Sequence, residues 1–291
     1  MKLSIIKGAS VLTFIIIYTS FSAKGQMNRE LVHVDYTNIG SGNEGGIAFE
    51  KSAVGFTLPT MLKKKGNVLF NTFEYANTRV DYGISNELTK YVNDFHMISY
   101  SVGYRKALKN KWGLTAMFTP RISSNFDSSL EWSDLRLMGL VMFSKPVRSN
   151  LFLNLGVMYS ATMGNNGLLP VFSMRWLPAP KWTVNVGFPR FGLEYEMNKN
   201  TQIGANLVLM GENFSLTDEI SNDDITVDNI RMMNVGGGLT LKQKLTKMIN
   251  LKLAAGYTFY RIYDLQYGTD KVDSFSLDDN FYLKVGISIG I

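Results

Sequence analysis

His96 stands in "NDFHMISYS", with Asp94 two residues before it and Ser99 three after it. Base, orienting acid and nucleophile are the residue types of an acyl-transfer site. The spacing defeats that reading, because residues an odd number apart on an extended strand face opposite ways and Ser99 points away from His96. The other histidine, His33 in "LVHVDY", shares a face with Asp35, and the pair reads as a polar contact rather than a catalytic dyad. The acidic run "TDEISNDDITVD" lacks the glycine and bidentate-glutamate spacing of a calcium loop and reads as solvated surface. Gly236, Gly237 and Gly238 follow a strand, but no helix pattern follows them. They suit close strand packing or a bend rather than a phosphate cradle. With no cysteine, thiol chemistry and Cys-based metal sites are excluded. No catalytic residue, metal ligand or cofactor is assigned, and the chain is expected to be non-enzymatic.

The elements that would carry any site are strands. "NFYLKVGISIGI" at the C-terminus sets Phe281, Leu283, Val285, Ile287, Ile289 and Ile291 on one face and Tyr282, Lys284, Gly286, Ser288 and Gly290 on the other. The same two-residue beat runs through "ISYSVGYRK", "WGLTAMFTPR", "WTVNVGF", "QIGANLVL" and "NLKLAAGYTFY". In "LFLNLGVMYS" it is broken by Phe152 and Met158, which fall on the polar face. Helical periodicity is absent, so the chain reads as all-β.

Short basic connections such as "KALKNK", "SKPVRSN" and "NKN" take turns with longer acidic ones, "GISNELTKYVND", "SSNFDSSLEWS", "GENFSLTDEISNDDITVD" and "DLQYGTDKVDSFSLDD". A meander of short turns on one side and long loops on the other fits a transmembrane up-and-down antiparallel β-barrel. The count is about 12–14 strands, with weak signals near 47–58 and 191–197. Lys2 and Lys7, an apolar run from Val11 to Tyr18 and the triplet Ala23-Lys24-Gly25 have the layout of a signal peptide over 1–25, leaving 26–291 as an exported barrel domain. Removing that segment leaves only a small excess of basic residues, which gives no support to nucleic-acid binding.

One stretch adds a resemblance. From Gly164 to Asn198, Gly167-Leu168-Leu169-Pro170, Trp176 before Pro178, Lys181-Trp182, Phe188-Pro189 and Tyr195 resemble a family of functionally uncharacterised outer-membrane β-barrels of Bacteroidetes-type, hence Gram-negative, bacteria. The resemblance implies the fold and the outer membrane, and no activity. Pro170 and Pro189 are expected to stop or start strands.

By strand parity, Arg105, Arg121, Arg136, Arg175, Glu194, Glu196, Lys252 and Lys284 face the lumen. They either pair across a packed interior or line a water-filled passage. A ring of this size is wider than the roughly eight strands whose side chains fill the interior. The leading expectation is therefore a porin-like passive channel or transport-like protein. Its partners would be outer-membrane lipid, the barrel-assembly machinery and small solutes. A structural or surface-interaction barrel without a pore is the alternative, and an outer-membrane lipid hydrolase a more distant one.

Overall fold

Each two-residue alternation becomes a strand in the computed structural model, which describes residues 30–42, 46–64, 66–83, 92–188, 191–221, 226–275 and 277–290. The expected signal peptide lies outside the described residues. The strands are β1 (Glu30–Ile39), β2 (Ile47–Met61), β3 (Val68–Tyr82), β4 (Asp94–Ala107), β5 (Gly113–Ser124), β6 (Leu135–Arg148), β7 (Leu151–Met163), β8 (Asn165–Trp176), β9 (Trp182–Phe188), β10 (Phe191–Glu196), β11 (Thr201–Ser221), β12 (Thr226–Lys244), β13 (Ile249–Tyr267), β14 (Asp270–Phe275) and β15 (Phe281–Gly290). Sequential strands pair antiparallel. β15 pairs with β1 on one side and β13 on the other, so the sheet closes on itself. β14 pairs only with the far end of β13, and the ring has 14 strands. Closure joins the last strand to the first, so the sheet has no terminal edge strand.

The two weak segments of the sequence are full members of the ring, as β2 and β10, which settles fourteen strands over twelve. Two of the long acidic "loops" are largely strand. β11 and β12 run for 21 and 19 residues, pair from Thr201–Gln243 to Ser215–Asn229 and, after an irregularity, again at Ile220–Val227 and Ser221–Thr226, and "DLQYGTDKVDSF" is the hairpin of β13 and β14. Pro170 does not bound a strand either. It lies within β8 opposite Val157, at a level where β9 has already ended, so its missing N–H faces an unpaired edge. Pro189 lies outside the described residues.

One face of every strand is apolar and turned outward, as Phe118, Val141, Leu155, Val157, Phe172, Leu207 and Ile287 show by their exposure. On an aqueous surface such a band would be an aggregation hazard, whereas in hydrocarbon it is the required coat.

The ring does not keep its width. β6 begins at Leu135 opposite Ile122, β7 and β8 turn at Gly164, and β9 and β10 have only 7 and 6 residues. Five strands thus stop short at the long-loop end, and β11 leans across the space above them until Ser215 pairs in parallel with Ser124 of β5. At that bridge, where β5 ends, the wall is β2–β5 facing β11–β14. The lean is helped by glycine. Gly238, Gly256 and Tyr282 stand in one row across β12, β13 and β15, and a Cβ on Gly238 would lie 2.3 Å from the Tyr282 hydroxyl.

This narrowed neck is filled. Phe95 stacks on Phe214 with centroids 4.6 Å apart, and Tyr263 packs between Phe49 at 5.7 Å and Phe275 at 5.2 Å, with Ile230 and Leu265 completing the buried centre. Arg261 ties the rim of the neck together, donating to the carbonyls of Ile47 at 3.1 Å and Asp278 at 2.6 Å and lying 5.2 Å from the Phe49 ring. Eight strands is about the width that side chains alone can close.

Adjacent residues on β7 test the sidedness. Leu155→Arg, on the outer face, should cost roughly 2–4 kcal/mol in urea unfolding from lipid vesicles. Asn154→Arg, on the inner face, should cost less than about 1 kcal/mol.

Candidate functional site

The inner face changes character within two residues. On β15 the Tyr282 residue is 3% exposed, while the side chain of Lys284, next below it on the same face, is 44% exposed. On β2, Phe49 is 5% exposed and the Lys51 side chain 32%. The inner face is therefore packed at the long-loop end and partly solvent-accessible immediately beneath. The candidate site is that vestibule, with the neck as its roof.

Charges line it in pairs. At the roof, Glu212 of β11 accepts from both Arg121 of β5 and Lys51 of β2, bracing the lumen from one wall to the other. Arg121 also donates to the Ser123 hydroxyl at 3.2 Å. Arg136 stands opposite Arg121 in register, and donates instead to the Ser215 hydroxyl at 2.9 Å and to Asn229, fastening β6 to the leaning hairpin. Lower down, Lys284 lies 3.8 Å from Asp35, Lys252 bonds Glu30, and Glu194 accepts from Lys242 at 2.7 Å and Gln202 at 3.1 Å. Glu196 sits opposite Gln202 and Arg105 opposite Val68, both at the short-turn rim. Arg175 stands opposite Phe152 with its guanidinium 5.9 Å from the ring, and no carboxylate pairs with it among the described residues.

Of the eight residues singled out by parity, only Arg121 and Arg136 are brought side by side. Glu30, Lys242 and Glu212 are the partners of these residues that parity reading passed over, while Asp35, read as a contact of His33, lies beside Lys284 instead and His33 turns to Glu74. Glu212 was hidden because its segment reads as loop, and Lys242 because it reads as turn.

The histidines take separate places. His33 crosses Gly55 to lie 3.8 Å from Glu74, where a Cβ on Gly55 would come within 2.4 Å of the imidazole. His96 faces outward at the long-loop end. Its Nδ1 is 2.9 Å from the Tyr75 hydroxyl and 3.3 Å from the Asn77 amide, and its Nε2 is 3.9 Å from Asp94. Ser99 is in register with Arg121 on the inner face, so the barrel wall separates it from His96. Among the described residues no three of His, Asp and Glu converge as a metal site.

Removing the anion of the roof should be costly. Glu212→Gln leaves two cations facing each other in a largely enclosed place, with an expected loss of roughly 3–5 kcal/mol in urea unfolding. Glu196→Gln at the exposed rim should stay within about 0.5 kcal/mol.

Similar architectures occur among solved structures. A KdgM porin in complex with disordered oligogalacturonate is 8% identical with a TM-score of 0.39, 89% of this chain covering 99% of that one. A NanC porin is 10% identical at 0.40, with 89% and 100% covered, and outer membrane phospholipase A from Escherichia coli is 11% identical at 0.38, with 94% and 95% covered. These likenesses are too distant to transfer a ligand or an activity. A search of curated proteins returns no match. The sequence itself matches a family model over residues 63–290, a span that contains the whole Gly164–Asn198 stretch, and the chain belongs to that family, described as a domain of unknown function, DUF6268.

Proposed function

We propose that this barrel resides in the outer membrane of a Gram-negative cell, of the Bacteroidetes type that its sequence resembles, and works as a passive, non-enzymatic channel that rests closed. The observation that carries this reading is the abrupt boundary between Tyr282 and Lys284: an accessible, charged vestibule lies directly under a packed neck. The exposed apolar band supports a membrane location, and the basic short turns support placing the vestibule toward the periplasm. The neck is built from the leaning ends of β11 and β12, which among the described residues share one ladder bridge with β5, at Ser124–Ser215, and are otherwise tied to it and the loop that follows by side chains, Arg121 to Glu212 and Asn125 and Ser128 to Thr217 and Asp218. A closure with so few ladder bonds to the opposite wall is the part of the ring most able to swing aside.

A second reading has its own support. The Lys51–Glu212–Arg121 brace and the pairing of most vestibule charges suit a rigid barrel with no passage.

The absence of cysteine makes a clean test available. Neighbouring strands lie about 4.8 Å apart, within the span a disulfide bridges, so Ser124→Cys with Ser215→Cys should lock the neck. In planar bilayers the oxidised double variant should be silent, and reduction should release transient openings. Phe95→Ala in the native background should lengthen them. If the reduced double variant and Phe95→Ala both fold and never conduct, the rigid-barrel reading replaces this one. Recovery of the native protein from the soluble periplasmic fraction, without detergent, would overturn the location.

A further inference from the structure

The two residues that break the alternation of β7, Phe152 and Met158, belong to a larger pattern on the inner wall. Met117, Leu140, Met158 and Leu169 stand in one register row across β5, β6, β7 and β8. Met138 and Met142 flank Leu140 along β6, and Val171 lies one rung below Leu169 along β8. All are on the face opposite the lipid-exposed Phe118, Val141, Val157 and Phe172. The six apart from Val171 are only partly buried, so this patch, roughly 15 Å wide at the usual strand spacing, borders the vestibule rather than disappearing into a core. Four methionines surround Leu140. Unbranched thioether side chains make a surface that adapts to flexible apolar partners.

Below the patch the same strands turn polar. Asn154 donates to the Ser173 hydroxyl at 3.0 Å, with Ser144 opposite Asn154. One rung further down is Arg175, the rim cation with no carboxylate partner among the described residues, lying over Phe152. The wall of β5–β8 is thus itself amphipathic, with an uncompensated positive charge at its open end and a soft apolar field above it. The facing wall, from β10 round to β3, carries its lumen charges mostly in pairs, with Glu196 at the rim as an exception.

We propose that the vestibule binds an amphipathic anion, such as a medium-chain carboxylate, with its head at Arg175 and the Asn154–Ser173 step and its chain along the methionines. This rests on the vestibule of the proposed channel but not on the neck opening, so binding and conductance can fail separately.

Dodecanoate is a suitable probe, read by NMR of protein carrying ¹³C-methyl methionine in lipid nanodiscs. Met163 and Met248, exposed outside the vestibule, report partition into lipid. Met117, Met142 and Met158 report the lumen. The expected result is saturable shifts confined to the luminal methionines, at least tenfold weaker apparent affinity in Arg175→Gln, and recovery of most of that loss in Arg175→Lys. Leu140→Glu should abolish the shifts, provided the outer methionine signals show that it has folded. Dodecanol should bind at least tenfold more weakly than dodecanoate, and acetate should produce no shift. Non-saturating changes shared by inner and outer methionines would overturn the site. Equal binding of dodecanol and dodecanoate, or no effect of Arg175→Gln, would overturn the assignment of an anion.

Discussion

A ring of fourteen strands is wider than its own side chains can fill, and the rest of this molecule follows from how that excess width is handled. In hydrocarbon the sheet must close, because any unpaired backbone edge would carry polar groups with no partner. Closing it with fourteen strands leaves a hole. A hole can hold water, take an inserted segment, or be narrowed, and this chain narrows it with its own wall. Five strands end early, two overlong ones lean over them, and the upper half becomes a smaller enclosure that aromatic side chains can close.

The neck and the vestibule are consequences of the same geometry. Once β11 leans inward, one of its faces, with Phe214 and Leu216, meets the apolar ends of β2–β4, while the other, with Asn213 and Ser215, meets the polar ends of β5–β8. Glu212 sits where the two environments join, and its partners come from β2 and β5. Beneath it the strands resume full spacing, and lysines that would be intolerable in a packed core remain partly solvated beside their carboxylates. A sealed roof and an accessible floor thus share strands, and a change in the lean of one hairpin would alter both.

Much of the fold was legible in the sequence, because strand parity is a strict two-residue rule and lipid demands an unbroken apolar face. The alternation in "ISYSVGYRK" or "NFYLKVGISIGI" leaves little choice. The leaning hairpin was harder to see. In "GENFSLTDE" the beat is present, with Glu212, Phe214 and Leu216 against Asn213 and Ser215, yet the segment reads as loop because neither face meets lipid and a charge sits on the buried side. Pro170 misled for a related reason: strand-breaking rules assume neighbours on both sides, and β8 has lost one at that height. The charged positions could be read by parity, but their partners could not, since pairing across a lumen depends on which walls approach and not on sequence distance. Phe152 and Met158 were visible as exceptions, and only the register across four strands turns them into part of a surface.

The central claim is a lumen open from one end and sealed at the other, and cysteine accessibility measures it directly because the native chain supplies no background thiol. A single Lys284→Cys variant, expressed in cells and treated with a membrane-impermeant maleimide, should stay unlabelled while the cells are intact and label readily once the reagent is given access to the periplasm. Labelling of intact cells at the same rate would mean that the neck is no barrier, and absence of labelling from both sides in the folded protein would mean that there is no vestibule.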